Sequence, residues 1–135
     1  MRRRMFLVTF SVSAFADTRQ DLIDLFGRMA AALSEGDPET FLRAMDPSMP
    51  DYPRFAANLR ALALQNDLSC SIEIDRQEGD DSIQLVELDW LLEIRGKDQT
   101  HRFLRRLSMV KCRLERRSRK WLVVSLDPAA FFAPP

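Results

Sequence analysis

The second half of the chain alternates between apolar and charged positions. Four segments carry this two-residue period, separated by short polar or glycine-containing turns: 68–75, 83–95, 101–115 and 121–127. Side chains two residues apart share one face of a strand, so the even-numbered positions predict an apolar core face and the odd-numbered positions a charged outer face. The pattern predicts an antiparallel meander of about four strands joined by hairpins.

Charges on the outer face predict the register of the second and third strands. If Glu87 lies opposite Lys111 and Glu93 opposite Arg105, opposite charges pair outside while apolar residues pair inside. A slip by one residue would exchange the two faces of the strand. The pattern is therefore satisfied by one register.

The first half of the chain repeats its apolar residues at helical spacing. One stripe recurs every three or four positions, at Leu22, Phe26, Met29 and Leu33. It predicts a helix over 18–34, with Thr18 at its start. A short second helix follows Asp37, whose carboxylate suits the capping position, and a third is predicted over 53–65. Three helices on one face of a curved meander sheet make an α+β fold.

The N-terminus has the three parts of a secretory signal peptide. Three arginines follow Met1, an apolar run covers 5–12, and the small residues Ala14 and Ala16 flank Phe15. The arginines also resemble the twin-arginine export motif, but the short segment favours general secretion. The alternative is an N-terminal strand, since apolar and polar positions alternate over 6–11. We expect a signal over 1–16, a single domain over 17–135, and a periplasmic or secreted protein.

Composition changes this picture little. A chain of 135 residues with 46% hydrophobic residues fits one globular domain. Its formal net charge is zero, and loss of residues 1–16 would remove three arginines and no acid. A mildly acidic domain lacks the dense basic surface that nucleic-acid binding requires. No apolar run approaches the roughly 18 residues of a membrane span, so none is expected after signal removal.

The two cysteines, Cys70 and Cys112, fall on the first and third predicted strands. Both strands neighbour the second, and neighbouring strands are about 4.8 Å apart, so the two Cβ atoms should be about 9–10 Å apart. A disulfide needs a Cβ–Cβ distance of about 3.8 Å. The sequence predicts two free, buried thiols.

The order of elements resembles the nuclear-transport-factor-2-like superfamily, which includes ketosteroid-isomerase-like enzymes. The resemblance covers about 18–132. It rests on Asp21-Leu22, Ala32-Leu33, Gly36-Asp37 and Phe41-Leu42 in the helical half and on the final Trp121-Leu122-Val123-Val124 strand. It implies a ligand pocket between the helices and the sheet, and dimers through the outer face. The chain departs from the family between its second and third helices, where only 47–53 replaces a short strand or hairpin.

Few polar residues point toward the predicted core. The pocket candidates are Trp90, Arg106, Ser108 and Tyr52. They line a ligand pocket in one interpretation, and in the other Trp90 is a packed core residue. The carboxylates of the sheet lie on the outer face, so no base is expected inside. We expect no cofactor, no metal site and no catalytic residue; a lone His101 in a turn does not make a metal site.

Two surface features have a functional interpretation. A basic cluster at the last hairpin, Arg116, Arg117, Arg119 and Lys120, suits either a phosphate or lipid-headgroup contact or a solvated hairpin tip. Apolar residues on the outer face predict a homodimer interface: Leu85, Leu91, Leu107, Met109 and Val123. We therefore expect an exported, non-enzymatic domain that binds a small apolar ligand or a protein partner. The alternative is an isomerase- or hydratase-like enzyme that uses the cone pocket.

Overall fold

A computed structural model describes residues 2–135, with side chains from Asp17 onward. Three helices come first: α1 (Arg2–Ser34), α2 (Pro38–Arg43) and α3 (Tyr52–Gln65). Four strands follow: β1 (Asn66–Gly79), β2 (Ile83–Gly96), β3 (Phe103–Arg117) and β4 (Lys120–Asp127). A short 3-10 helix, Ala129–Phe132, lies after β4. The predicted α+β order is confirmed, whereas the predicted signal, 1–16, lies outside the described side chains and stays a prediction.

The helices pack the predicted apolar stripe against the sheet. All four residues of the α1 stripe are buried, although the helix runs through Thr18 rather than beginning there. Asp37 caps α2 as predicted, because its carboxylate accepts a hydrogen bond from the Thr40 backbone N–H at 3.2 Å. No helix in the described part of the chain is long and apolar enough to cross a membrane.

The sheet is an open antiparallel meander in the order β1-β2-β3-β4. Glu87 pairs with Lys111 and Glu93 with Arg105, so the register predicted from charge is confirmed. The even-numbered residues of β2 are all buried from position 84 to 94. This is the face that the helices and the C-terminal 3-10 helix cover.

The last strand departs from the predicted alternation. Pairing of β3 with β4 shifts by one position between Arg113 and Leu114, which leaves Val124 as an extra residue. Such a bulge exchanges the two faces of the strand beyond it. Trp121 and Val123 consequently lie on the core face, where Val123 is fully buried. The prediction that Val123 belongs to the outer face is therefore wrong.

The two cysteines are free, as predicted, but they lie farther apart than expected. Cys70 pairs with Leu92 and Cys112 pairs with Val86, at positions six residues apart along β2. At about 3.3 Å per residue, this adds about 20 Å along the strand to the spacing across it. Membership of the first and third strands does not place two residues at the same level of the sheet.

Candidate functional site

Aromatic side chains fill the space between the helices and the sheet. This central aromatic cluster consists of Phe41, Phe55, Trp90, Phe131 and Phe132. The ring centroid of Phe132 lies 4.9 Å from that of Trp90, 5.6 Å from that of Phe55 and 5.7 Å from that of Phe41. Phe132 and Trp90 are both fully buried. The C-terminal segment thus supplies the centre of the core, in the space where the superfamily resemblance implies a ligand.

Arg106 fixes this C-terminal segment to the sheet. One guanidinium nitrogen, Nη1, donates to the carbonyl oxygens of Phe131 at 2.8 Å and Ala133 at 2.6 Å. Partial burial lowers the pKa of Arg106 from its usual value, but a guanidinium remains charged at neutral pH. The inward arginine on β3 is therefore committed to backbone carbonyls of its own chain.

The structure brings three of the four predicted pocket residues together on the core face. Ser108 pairs with Trp90 across β2 and β3, and Arg106 lies two positions before Ser108 on the same face. Tyr52 begins α3 and packs against the core from the helical side. Cavities of about 590, 360 and 230 Å³ are lined by described residues, and none of these three includes any of the four. Trp90 packs as a core residue.

Two groups that could act as a general base, Asp46 and His101, are not placed to do so. Asp46 is buried and accepts a 2.9 Å hydrogen bond from the Ser48 backbone N–H, and Arg117 is salt-bridged to it. These interactions, those with Ser48 foremost, hold the pKa of Asp46 below its usual range. His101 is exposed in the β2–β3 connection, with a φ of 47°. A carboxylate with a lowered pKa is a weak proton acceptor at neutral pH.

The outer face combines apolar and charged side chains. Leu107 lies near its centre with 75% of its surface exposed, and it pairs with Leu91 on β2. Leu85, Phe103 and Met109 are also exposed. The pairs Glu87–Lys111 and Glu93–Arg105 flank this apolar centre. Four of the five predicted interface residues therefore share one face, and only Val123 does not.

A second surface feature combines the basic hairpin cluster with the helices. The cavity of about 360 Å³, here called the helix–turn cavity, opens between α1, α2 and the β3–β4 turn. Arg119 and Lys120 line it from the turn, and Arg28 and Arg43 line it from the two helices. The sequence singled out the two turn residues. The helical arginines were missed because their distance along the chain conceals their proximity in space.

Solved structures show which fold this arrangement belongs to. A conserved protein from Planctomyces limnophilus superposes with a TM-score of 0.73 at 8% identity, covering 82% of this chain and 94% of that one. A nuclear transport factor 2-like superfamily protein from Salmonella enterica superposes with a TM-score of 0.67 at 12% identity, covering 83% of this chain and 89% of its own. This chain has the nuclear-transport-factor-2-like fold. A hexachlorocyclohexane dehydrochlorinase from Novosphingobium barchaimii also shares it, with a TM-score of 0.67 at 11% identity over 86% of this chain and 88% of the enzyme.

No protein-family model matches the sequence, and no curated protein matches it. The nuclear-transport-factor-2-like fold supports a ligand-binding or enzyme-like cone domain without selecting between them.

The short link after α2 makes one strand-like contact. Met45 forms an isolated parallel bridge with Val123 of β4. That bridge joins the link to the middle of β4.

Proposed function

We propose that this nuclear-transport-factor-2-like domain is a non-enzymatic binding domain whose partner on the outer face is a second copy of the chain. The observation that carries the proposal is the exposed apolar centre of that face around Leu107. Each exposed apolar side chain gains about 1.5–3 kcal/mol when fully buried. Several such side chains on one face favour an interface over a solvated surface.

The distribution of charge on the outer face supports a second copy as the partner. Glu87 and Glu93 on β2 lie directly opposite Lys111 and Arg105 on β3. A two-fold axis parallel to the strands, passing between β2 and β3, would place each acid of one copy over the base of the other. The same operation would place Leu91 over Leu107. An isologous interface of this kind is complementary in both charge and apolarity.

The filled interior favours a protein partner over a small apolar ligand. The central aromatic cluster occupies the space between helices and sheet, so a ligand there would have to displace Phe132. That side chain is fully buried, and Arg106 holds the carbonyl groups on both sides of it. The outer face needs no such rearrangement before it binds.

The isomerase- or hydratase-like alternative receives less support from the polar groups. Such an enzyme removes a proton from carbon and needs a carboxylate or imidazole with a pKa near the working pH. Hydrogen bonds and a salt bridge lower the pKa of the buried Asp46 instead. His101 lies in solvent, away from the central aromatic cluster.

Substitution of Leu107 tests the proposed interface. We expect the wild-type domain to dimerise at tens of micromolar and Leu107→Glu to be monomeric but folded, because Leu107 packs little within its own chain. Leu64 on α3 is the matched control, since its exposure of 77% is close to the 75% of Leu107 while it lies on the helical side. Light scattering at matched concentrations should show Leu64→Glu dimeric. A monomeric wild type, or equal loss in both variants, contradicts the proposal.

A further inference from the structure

The helix–turn cavity concentrates positive charge from three parts of the fold. Its charged lining comprises four bases and two acids: Arg28, Arg43, Arg119 and Lys120, with Asp21 and Asp24. Among the described residues, none of the four bases is salt-bridged to an acid. Arg43 also interacts electrostatically with Asp37 and Glu39 beside the cavity. Bases that line one cavity and outnumber its acids form a potential binding site for an oxyanion.

The neighbouring residues hold the turn that carries two of these bases. Ser118 and Arg119 both have positive φ angles, 49° and 68°, as in the tight two-residue turns of hairpins. Arg117, just before them, is salt-bridged to Asp46 and to Glu115. The charge of Arg117 is thus used to anchor the turn to the rest of the domain, whereas Arg119 faces the cavity.

The remaining lining of the cavity is largely apolar. It includes Leu25, Met29, Ala44, Trp121 and Leu122. The buried indole N–H of Trp121 has no hydrogen-bond partner among the described residues. This lining suits an organic body rather than a bare ion.

We propose that the helix–turn cavity binds a small organic oxyanion, such as a phosphate monoester or a carboxylate. Arg43, Arg119 and Lys120 hold the charged group, and the organic body lies on the apolar lining beside Trp121. The cavity volume of about 360 Å³ limits the ligand to a small molecule. None of the outer-face residues Leu85, Leu91, Leu107 and Met109 lines the cavity, so the site does not depend on the proposed dimer.

Phenyl phosphate is a suitable probe because it combines an oxyanion with a small apolar body. Calorimetric titration in phosphate-free buffer at low salt should detect binding of phenyl phosphate to the wild-type chain at sub-millimolar concentration, with a change in Trp121 fluorescence. Arg43→Gln and Arg119→Gln should each weaken binding about tenfold, because each removes a charge-assisted contact. The control is Arg102→Gln, which neutralises an exposed arginine that does not line the cavity.

Further arms of the experiment identify the source of the oxyanion. Weaker binding of inorganic phosphate supports an organic ligand, whereas equal binding shows that the oxyanion alone is recognised. Sedimentation with phosphatidylglycerol vesicles that depends on Arg119 would identify a lipid headgroup as its source. Thermal unfolding should leave Arg43→Gln and Arg119→Gln unchanged, since both side chains are exposed. The proposal is overturned if phenyl phosphate does not bind at millimolar concentration, or if both variants bind it as tightly as Arg102→Gln does.

Discussion

At the scale of single residues, burial controls the chemistry of the two cysteines. Burial raises the pKa of the Cys70 thiol to about 11 and that of the Cys112 thiol to about 12. The Cys70 thiol also donates to the Ala30 carbonyl oxygen at 3.5 Å, which retains its proton on sulfur. Both groups are therefore neutral core side chains near pH 7 rather than nucleophiles.

These pKa values predict a loss of stability in alkaline solution. An unfolded thiol ionises near pH 9, whereas folded Cys70 resists ionisation up to about pH 11 and folded Cys112 up to about pH 12. Their contribution to stability is complete below pH 9 and is lost as the pH rises through 11 and 12. Urea unfolding of the wild type should show a steeper fall of the free energy of unfolding over this interval than the double variant Cys70→Ala, Cys112→Ala. Equal slopes would show that the thiols are not protected.

At the scale of elements, the last residues of the chain do the most to decide what the fold can hold. The 3-10 helix places two aromatic side chains in the interior, and one of them, Phe132, contacts three rings outside that helix. Arg106 holds this segment in place by its backbone, and the rings of Phe131 and Phe132 fill the space between the helices and the sheet. The interior is therefore a closed core rather than a pocket.

Truncation of Phe132 measures the contribution of this segment. Phe132→Ala should lower the free energy of unfolding by about 3–5 kcal/mol, because it removes a fully buried ring from the core. Leu64→Ala is the control, and it should change stability by less than about 0.5 kcal/mol because Leu64 is exposed. Urea denaturation followed by tryptophan fluorescence reports both values. Equal stability of the two variants would show that the segment does not occupy the interior in solution.

At the scale of the whole molecule, the outer face is polarised across its strands. Its acids at the levels of Glu87 and Glu93 lie on β2, and their basic partners lie on β3. A two-fold axis parallel to the strands brings unlike charges together. An axis perpendicular to the strands at the level of Leu91 instead brings Glu93 near Asp89 of the other copy, which is repulsive, and Glu87 near Arg95, which is attractive. Only the parallel axis makes every one of these contacts attractive. Charge therefore predicts the orientation of the proposed dimer as well as its location.

Charge reversal at one paired level tests that orientation. Glu93→Lys places lysine over Arg105 of the second copy, and Arg105→Glu places glutamate over Glu93, so each variant alone should be mainly monomeric. An equimolar mixture should form heterodimers, because each mutated residue then meets the opposite charge. Sedimentation velocity of the separate and mixed variants is the measurement. A stable Glu93→Lys homodimer would indicate the perpendicular axis and contradict the prediction.

Much of the sheet was predictable because side chains alternate between the two faces of a strand every second residue. A few neighbouring residues are therefore enough to identify the buried face. Charge pairs such as Glu87 with Lys111 specify a register that the observed pairing of β2 with β3 confirms. The β4 bulge escaped prediction, since the sequence 121–124 is apolar at every position and an alternation of apolar and polar residues cannot be read there. The candidate site was only partly predictable, because Arg28 and Arg43 join Arg119 through helix packing rather than through spacing.

Sequence patterns are sufficient to predict the element order, the α2 cap at Asp37, the β2–β3 register and four apolar positions on one outer face. Each follows from interactions between residues near in sequence or paired by a hairpin. Tertiary structure alone decided that Phe132 fills the interior, that Val123 is core and that the helical arginines meet the last turn. These contacts join segments that are many residues apart in the sequence. They depend on how side chains from different elements fit together in the core, which the local periodicity of the sequence does not indicate.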